Sequence, residues 1–319
     1  MDKPLVSLIV ATYNQERYVR DTIQSALMQT YNPLEIIISD DCSTDSTAEI
    51  IRTEVDAYRS RGGEHKVVFN RNRCNLGIAQ HWQVICGLAN GELIVALGGD
   101  DISLPQRVSR IVEEWERNGR AALALYHGAV KINHMGKEVG ELGEFYFTEG
   151  TLGAVAAYSK KIWEYFGPIS ETGAVEDEVF GNRALIFSAR QNIRENLLKY
   201  RIGVGVSSGM RDYRKKQIKV YKDYKLSSLC QTMRDLEKVR RVIGEDEYAR
   251  LKRLFDERRK ANEMWLRLFS DNSFRGRLNA AKYLCQKANA KRKVLILLLL
   301  MPRVVGDAVF FCIGVVRRT

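Results

Sequence analysis

Gly91-Glu92-Leu93-Ile94-Val95-Ala96-Leu97-Gly98-Gly99-Asp100-Asp101-Ile102-Ser103-Leu104-Pro105 is the stretch from which the rest of the chain can be placed. The apolar run Leu93 to Leu97, bounded by glycines, has the length of a buried strand. It delivers Asp100 and Asp101 to the strand's C-terminal end, and Pro105 then opens a helix. In parallel α/β sheets ligands gather outside that edge. Two adjacent carboxylates repel each other unless a cation or a proton relieves them. Hard oxygen ligands suit Mg²⁺ or Mn²⁺, which usually arrive in company with substrate phosphates. The other reading of the same residues is a solvated strand-to-helix turn in which one Asp caps the helix.

Working back toward the N-terminus, Leu5 to Ala11 is an apolar strand ending in Thr12-Tyr13-Asn14, and Glu16 to Gln29 has helical apolar spacing. Leu34 to Ile38 is a second strand, ending in Ser39-Asp40-Asp41-Cys42-Ser43-Thr44-Asp45. Ser43, Thr44 and Asp45 are good caps for a helix over about Thr47 to Arg59. Lys66 to Phe69 and Ile78 to Leu88 supply a third strand and a third helix. This alternation predicts βαβ units and a parallel sheet. Strands one, two and four all end in acidic or polar clusters at one sheet edge, which folding alone does not require.

The charge is unevenly spread. Of 50 Lys+Arg and 39 Asp+Glu, 28 and 12 lie from Met210 onward, a net of +16 against −5 for the first 209 residues. A basic tail behind an acidic head predicts contact with something anionic. The six cysteines (42, 74, 86, 230, 285 and 312) have no metal-ligand spacing and read as reduced thiols. The first strand starts within a few residues of Met1, the expectation for a chain with no signal peptide.

The strand ahead of Thr12-Tyr13-Asn14, the Asp40-Asp41-x-Ser43-x-Asp45 turn, Asn75-Leu76-Gly77, and Gly98-Gly99-Asp100-Asp101 ahead of Pro105 resemble the family 2 glycosyltransferases of the GT-A fold. The likeness covers about residues 4 to 200 with several motifs in order. It implies an α/β fold: a GT-A, Rossmann-like, mixed but mostly parallel sheet flanked by helices, here with a C-terminal α-helical extension. It also implies a nucleotide-sugar donor, a divalent ion (Mn²⁺ or Mg²⁺) and inversion at the anomeric carbon. Thr12, Tyr13, Asn14, Asp40, Asp41, Gly77 and Asp100 are then donor-nucleotide contacts. Tyr13 can stack on a base and Asp41 can accept from a base N–H, with uracil favoured. Asp40 holds the turn or a ribose hydroxyl. Arg71 and Arg73 are candidates for phosphate, and His81 and Trp82 read as packing residues. The family often has an acid where this chain has Gly98. Asp100 is assigned the direct metal contact, with Asp101 as second ligand or donor-sugar contact.

Leu104 to Asn118 reads as a helix, Ala121 to Tyr126 as a strand and Val130 to Val139 as a hairpin. Gly150 to Tyr158 is rich in glycine and alanine and suits close approach to a sugar. Glu176-Asp177-Glu178 at a helix start is favourable with the helix dipole. The resemblance makes Asp177 the catalytic base, with Glu176 as its understudy and Arg183 near the diphosphate or bracing Asp177. Gln191-Asn192-Ile193-Arg194 lies too close to Asp177 to be the motif of processive members, so transfer of a single sugar is expected.

From Tyr213 the pattern changes to long helices, with Leu226, Leu229, Met233, Leu236 and Val239 as one apolar stripe. These read as a helical cap or a dimerising pair, so a homo-oligomer stays open. The expected domains are 1–209, a basic helical extension 210–290 and an apolar, basic tail 291–319. Pro302, Arg303 and Asp307 interrupt the tail's apolar run, which fits a segment lying on a cytoplasmic membrane surface better than a spanning helix. The chain is thus expected to be cytoplasmic and peripheral to the inner membrane face, with a lipid-linked or glycan acceptor and no nucleic acid. Transfer to a polyprenyl phosphate and a non-catalytic sugar-nucleotide-binding scaffold are the other readings.

Overall fold

The structure is a computed structural model, and it describes residues 2–142, 152–204 and 213–288, together with positions 296 and 300. The chain divides into two compact units, Met1–Ser170 with Glu176–Gly205, and Glu171–Val175 with Val206–Thr319. The segment 171–175 belongs with the helical region. There the Glu171 N–H donates to Gln231 Oε1 at 2.9 Å and the Val175 N–H to Ser228 Oγ at 3.0 Å.

The first unit is built on one nine-stranded sheet of order β3-β2-β1-β4-β8-β6-β9-β5, with β7 beside β6. Its first half comprises β1 (Val6–Thr12), α1 (Val19–Leu27), β2 (Leu34–Asp40), α2 (Thr47–Ser60), β3 (Lys66–Arg71), α3 (Ile78–Leu88) and β4 (Leu93–Gly98). β1, β2, β3 and β4 are mutually parallel. β1, β2 and β4 are buried almost throughout, which is why they read as continuous apolar runs. Register decides what meets at the edge: Thr12 lies opposite Asp40, and Ala11 opposite Gly98.

The second half runs β5 (Ile102–Ser103), α4 (Arg107–Arg117), β6 (Ala124–Ile132), β7 (Glu138–Glu141), β8 (Ala156–Ser159), α5 (Lys161–Phe166), α6 (Glu176–Ile186) and β9 (Arg190–Arg201). β8 pairs antiparallel with both β4 and β6, and β9 runs parallel to β6, so the sheet is mixed. The expected hairpin is β6–β7. Its turn is closed by Asn133 Oδ1, which accepts from the N–H groups of Met135 and Lys137. The sequence reading missed the two-residue β5 and two longer strands. β8 is four small or aromatic residues with no alternation, and β9 is a charged run that becomes a strand by lying between β6 and β5.

The described part of the second unit holds α7 (Tyr213–Lys219), a widened turn over Val220–Leu226, α8 (Ser227–Ile243), α9 (Glu245–Ser270) and α10 (Phe274–Lys287). Leu229, Leu236 and Val239 of the predicted stripe are buried, and so are Ser228, Gln231, Thr232 and Asp235. Ile296 packs with Leu268, Ala280, Ala281 and Leu284. Apart from positions 296 and 300, the tail over 291–319 lies outside the described residues, and the membrane expectation with it. Among the described residues no helix is long and apolar enough to cross a membrane.

Candidate active site

The β1 and β2 ends form one knot. Asp40 is fully buried, and its carboxylate accepts from the Ser43 N–H at 3.0 Å and from the Ser43 hydroxyl. Arg71 Nε lies 3.3 Å away, and Arg71 also donates to Ser43 O. Of the two roles expected for Asp40, this placement fits the turn-holding one and leaves no exposed oxygen for a ribose. Arg71 braces the same turn. Asn14, at φ 52°, accepts from the Thr44 N–H through its side chain and donates its own N–H to Ser43 Oγ. Thr12 Oγ1 donates to Ser39 O at 3.1 Å. Between these fixed neighbours the Tyr13 side chain stands in solvent.

Asp41 is tied to a different element. Its Oδ1 accepts from Asn72 Nδ2 at 2.8 Å and the Leu76 N–H at 2.9 Å, and its Oδ2 from the Gly77 N–H at 2.9 Å. Gly77 has φ 75°, a left-handed conformation suited to glycine, and α3 starts immediately after it. An ionised carboxylate offers about four acceptor sites, so one of Asp41's remains. His81 packs inward as expected, with Nε2 2.8 Å from Ser39 Oγ. Burial pushes its imidazole below the usual range, against the pull of the Asp41 and Asp40 charges.

At the end of β4 the acids converge. A Cβ added at Gly98 would lie 3.1 Å from both Asp100 Oδ1 and Asp101 Oδ2, so the absent side chain is what lets the two carboxylates share this space. Asp101 is 1% exposed, and its Oδ1 accepts from the Arg201 N–H at 2.8 Å. Arg201 is also buried. It donates through Nε to Asp100 O at 2.9 Å and through Nη1 to Asn133 O at 3.0 Å, and it stacks 4.6 Å over the Tyr18 ring. Arg107 is fully buried, with Nη2 on Ala96 O at 2.6 Å and on Ala154 O at 2.9 Å. Its Nε donates to His127 Nε2 at 2.8 Å, so His127 is neutral and its Nδ1–H faces Gly128 O at 2.7 Å. His127 is therefore an interior residue. Burial pushes both carboxyls toward holding a proton, and at Asp101 the Asp100 charge adds to it while the Arg107 and Arg201 guanidiniums oppose it. Two hard-oxygen donors gathered across a glycine suit a divalent cation. Among the described residues no third His, Cys, Asp or Glu joins them to complete a protein-only metal site. Such an ion would draw its other ligands from water and phosphate.

The second acid pair heads α6. Asp177 Oδ1 accepts from the Glu178 N–H at 2.7 Å, and Oδ2 faces the Gly153 N–H at 3.4 Å. β8 follows Gly153–Val155 and runs antiparallel to β4 with Val95 opposite Ala157, so this turn lies beyond Val95 toward Gly98. Arg107 bridges Ala96 and Ala154 across the same join. Asp177 is thus held at the sheet edge that also carries Asp41, Asp100 and Asp101. Glu176 is buried beside it, and burial, then the Asp177 charge, push its carboxyl up to about 8. Arg183 departs from expectation. Its guanidinium is fully buried 5.2 Å over Phe166 and 5.7 Å over Phe180, with Nη1 on Gly167 O at 2.9 Å, which places it in the packing of α5 on α6. Arg107 and Arg201 went unread because nothing in a linear pattern marks an arginine that will be buried.

The fold is a mixed α/β sheet with two acid pairs gathered on one edge. The model of glycosyl transferase family 2 matches residues 7–194, more than half of the 319, and the chain belongs to that family of glycosyltransferases. An uncharacterized glycosyltransferase of Haemophilus influenzae is 30% identical over 190 residues, covering 58% of this chain and 55% of that one. The Escherichia coli UDP-Glc:alpha-D-GlcNAc-diphosphoundecaprenol beta-1,3-glucosyltransferase WfaP is 34% identical over 112 residues, 35% of this chain and 41% of that one. The chain spans about half or less of the length of these relatives. The mannosyltransferase PcManGT from Pyrobaculum calidifontis, solved with GDP-Man and Mn²⁺, superposes with a TM-score of 0.55 at 16% identity, covering 97% of this chain and 87% of that one. The fold is GT-A, as the motifs implied.

Proposed function

We propose that this chain catalyses the metal-dependent, inverting transfer of one sugar from a nucleotide-sugar donor, a UDP-sugar foremost, to a hydroxyl of a lipid-linked glycan in surface-polysaccharide synthesis. The observation that carries the reading is the convergence of Asp100 and Asp101 across Gly98 on the edge where β2 ends in Asp41. Asp41 keeps one acceptor position for a base N–H, and the Tyr13 ring is free to stack on that base. Asp100, the more open of the pair, and Asp101 would hold the Mn²⁺ or Mg²⁺. The ion's chemistry is to neutralise charge on the departing nucleoside diphosphate. Asp177 takes the proton of the acceptor hydroxyl as its oxygen bonds to the anomeric carbon from the face opposite the leaving group. The donor and acceptor named for WfaP support the UDP-sugar and lipid-linked assignments, and the ion bound by PcManGT supports the metal. The basic composition from Met210 onward supports work at an anionic membrane surface.

Calorimetry with UDP, GDP, dTDP and CDP, with and without Mn²⁺, tests this reading. The expected outcome is tight binding of one nucleotide that weakens on chelation and in Asp100→Ala. A folded chain that binds none of the four overturns it. Loss of membrane association on deleting residues 291–319 checks the placement of the acceptor, and unchanged association and activity would argue against it.

A further inference from the structure

We propose that Glu176 is a positioning residue that keeps its own proton, so that the Glu176–Asp177 pair carries a single negative charge, borne by Asp177. The inference rests on the reading of Asp177 as the base. Glu176 is 7% exposed, and its Oε2 has no hydrogen-bond partner. Among the described residues no lysine, arginine or histidine pairs with it. A Cβ added at Gly153 would lie 3.4 Å from Glu176 Oε1 and 3.5 Å from Asp177 Cβ, so both acids rest on the same bare stretch of backbone.

Among the described residues, the groups that face Glu176 from neighbouring elements do not supply a charge to balance an anion there. α3 presents Cys86, whose thiol is pushed up by burial. β8 and β6 present Tyr158 and Tyr126, whose phenols are pushed up first by burial and further by the Asp177 charge. β9 contributes Arg190, which donates to Gly181 O at 2.8 Å and lies 5.9 Å over the Tyr126 ring. Two anions side by side in such a place are strongly disfavoured, and a buried carboxyl without a cation neutralises itself. During transfer the acceptor O–H bond breaks and its proton passes to Asp177. The acceptor oxygen bonds to the anomeric carbon, and the bond to the diphosphate breaks with its electron pair leaving on that oxygen. Glu176 neither gains nor loses a proton. Its ionisation at alkaline pH sets a second charge beside Asp177, which forces the two carboxylates apart and away from the acceptor hydroxyl.

The test compares wild type with Glu176→Gln in two ways. The first is thermal unfolding from pH 5 to pH 9. A carboxyl raised from 4.5 to about 8 on folding binds more protons folded than unfolded across that window. Wild-type stability then falls relative to the Gln variant as pH rises to about 8, and the gap levels off above it. The second is the ratio of transfer rates at pH 9 and pH 7. It falls about tenfold for wild type and stays flat for the variant. A gap in stability that is flat with pH, or an alkaline fall that persists in the variant, overturns the proposal. If Glu176→Gln does not fold, Glu176→Met takes its place. If neither folds, wild-type stability that fails to decline between pH 5 and pH 8 overturns it. The unfolding measurement needs no activity, so a flat gap alongside normal transfer rejects only the role of Glu176. An expected gap with no transfer from any donor rejects the transferase reading instead.

Discussion

The two acid pairs share one sheet edge, but only the β4 pair depends on a bare glycine: a Cβ at Gly98 would crowd both carboxylates at 3.1 Å, whereas one at Gly153 would make ordinary contact with Glu176 and Asp177. They differ in what surrounds them. Asp101 accepts from the Arg201 backbone, and the guanidiniums of Arg201 and Arg107 stand close enough to oppose its protonation. Asp100 stays the more open of the two and is free to offer oxygen to an ion. Among the described residues Glu176 has neither counter-ion nor donor on Oε2, and backbone N–H groups hold its neighbour Asp177. Like charges at close range must be relieved, and the surroundings choose how. The β4 pair is equipped for a cation, and the α6 pair for a proton. On the proposed function, a metal-assisted departure and a base-assisted attack are separated within one site.

The largest test of this contrast is Asp177→Asn, which should lower kcat by ~10²–10⁴-fold while Mn²⁺-dependent nucleotide binding holds, read by steady-state kinetics beside calorimetry. Retained turnover would favour transfer to a polyprenyl phosphate, whose anionic oxygen needs no base. Asp100→Ala should reduce kcat/KM by ~10²–10³-fold and remove the response of nucleotide binding to chelation. If both variants damaged metal response and turnover alike, the division between the pairs would fall. Arg201→Met removes the bonds to Asp100 O and Asn133 O, and urea unfolding should show a loss of about 2–3 kcal/mol. Gly98→Ala is the mildest. Its methyl must push the two carboxylates apart by a few tenths of an ångström, and Mn²⁺-dependent binding should weaken about tenfold, or ~1.4 kcal/mol.

Much of the first half was legible because its strands are buried on both faces and so appear as unbroken apolar runs with polar clusters at their ends. The same clarity located Asp41, Asp100 and Asp101. β8 and β9 were not legible. A strand of Ala-Ala-Tyr-Ser and one that begins Arg-Gln-Asn-Ile-Arg have no apolar alternation, and pairing partners far along the chain decide their state. In α8 the apolar stripe was read correctly. The polar positions Ser228 and Gln231 are also buried, because they bind the backbone of 171–175, and no periodicity reports a hydrogen bond to a distant segment.

The sequence by itself determined the parallel α/β half, the family and the presence of acids at the strand ends, since these depend on local hydrophobic pattern and on residue types in order. Tertiary structure decided the rest. It turned Asp40 and Arg71 into turn fasteners, buried Arg183 between aromatic rings and brought Arg201 from β9 against the β4 acids. It also left Glu176 without a counter-charge among the described residues. The physical reason is that a carboxylate's or guanidinium's role follows from its solvation and its partners. Both are set by contacts between residues tens of positions apart, which exist only once the sheet has closed.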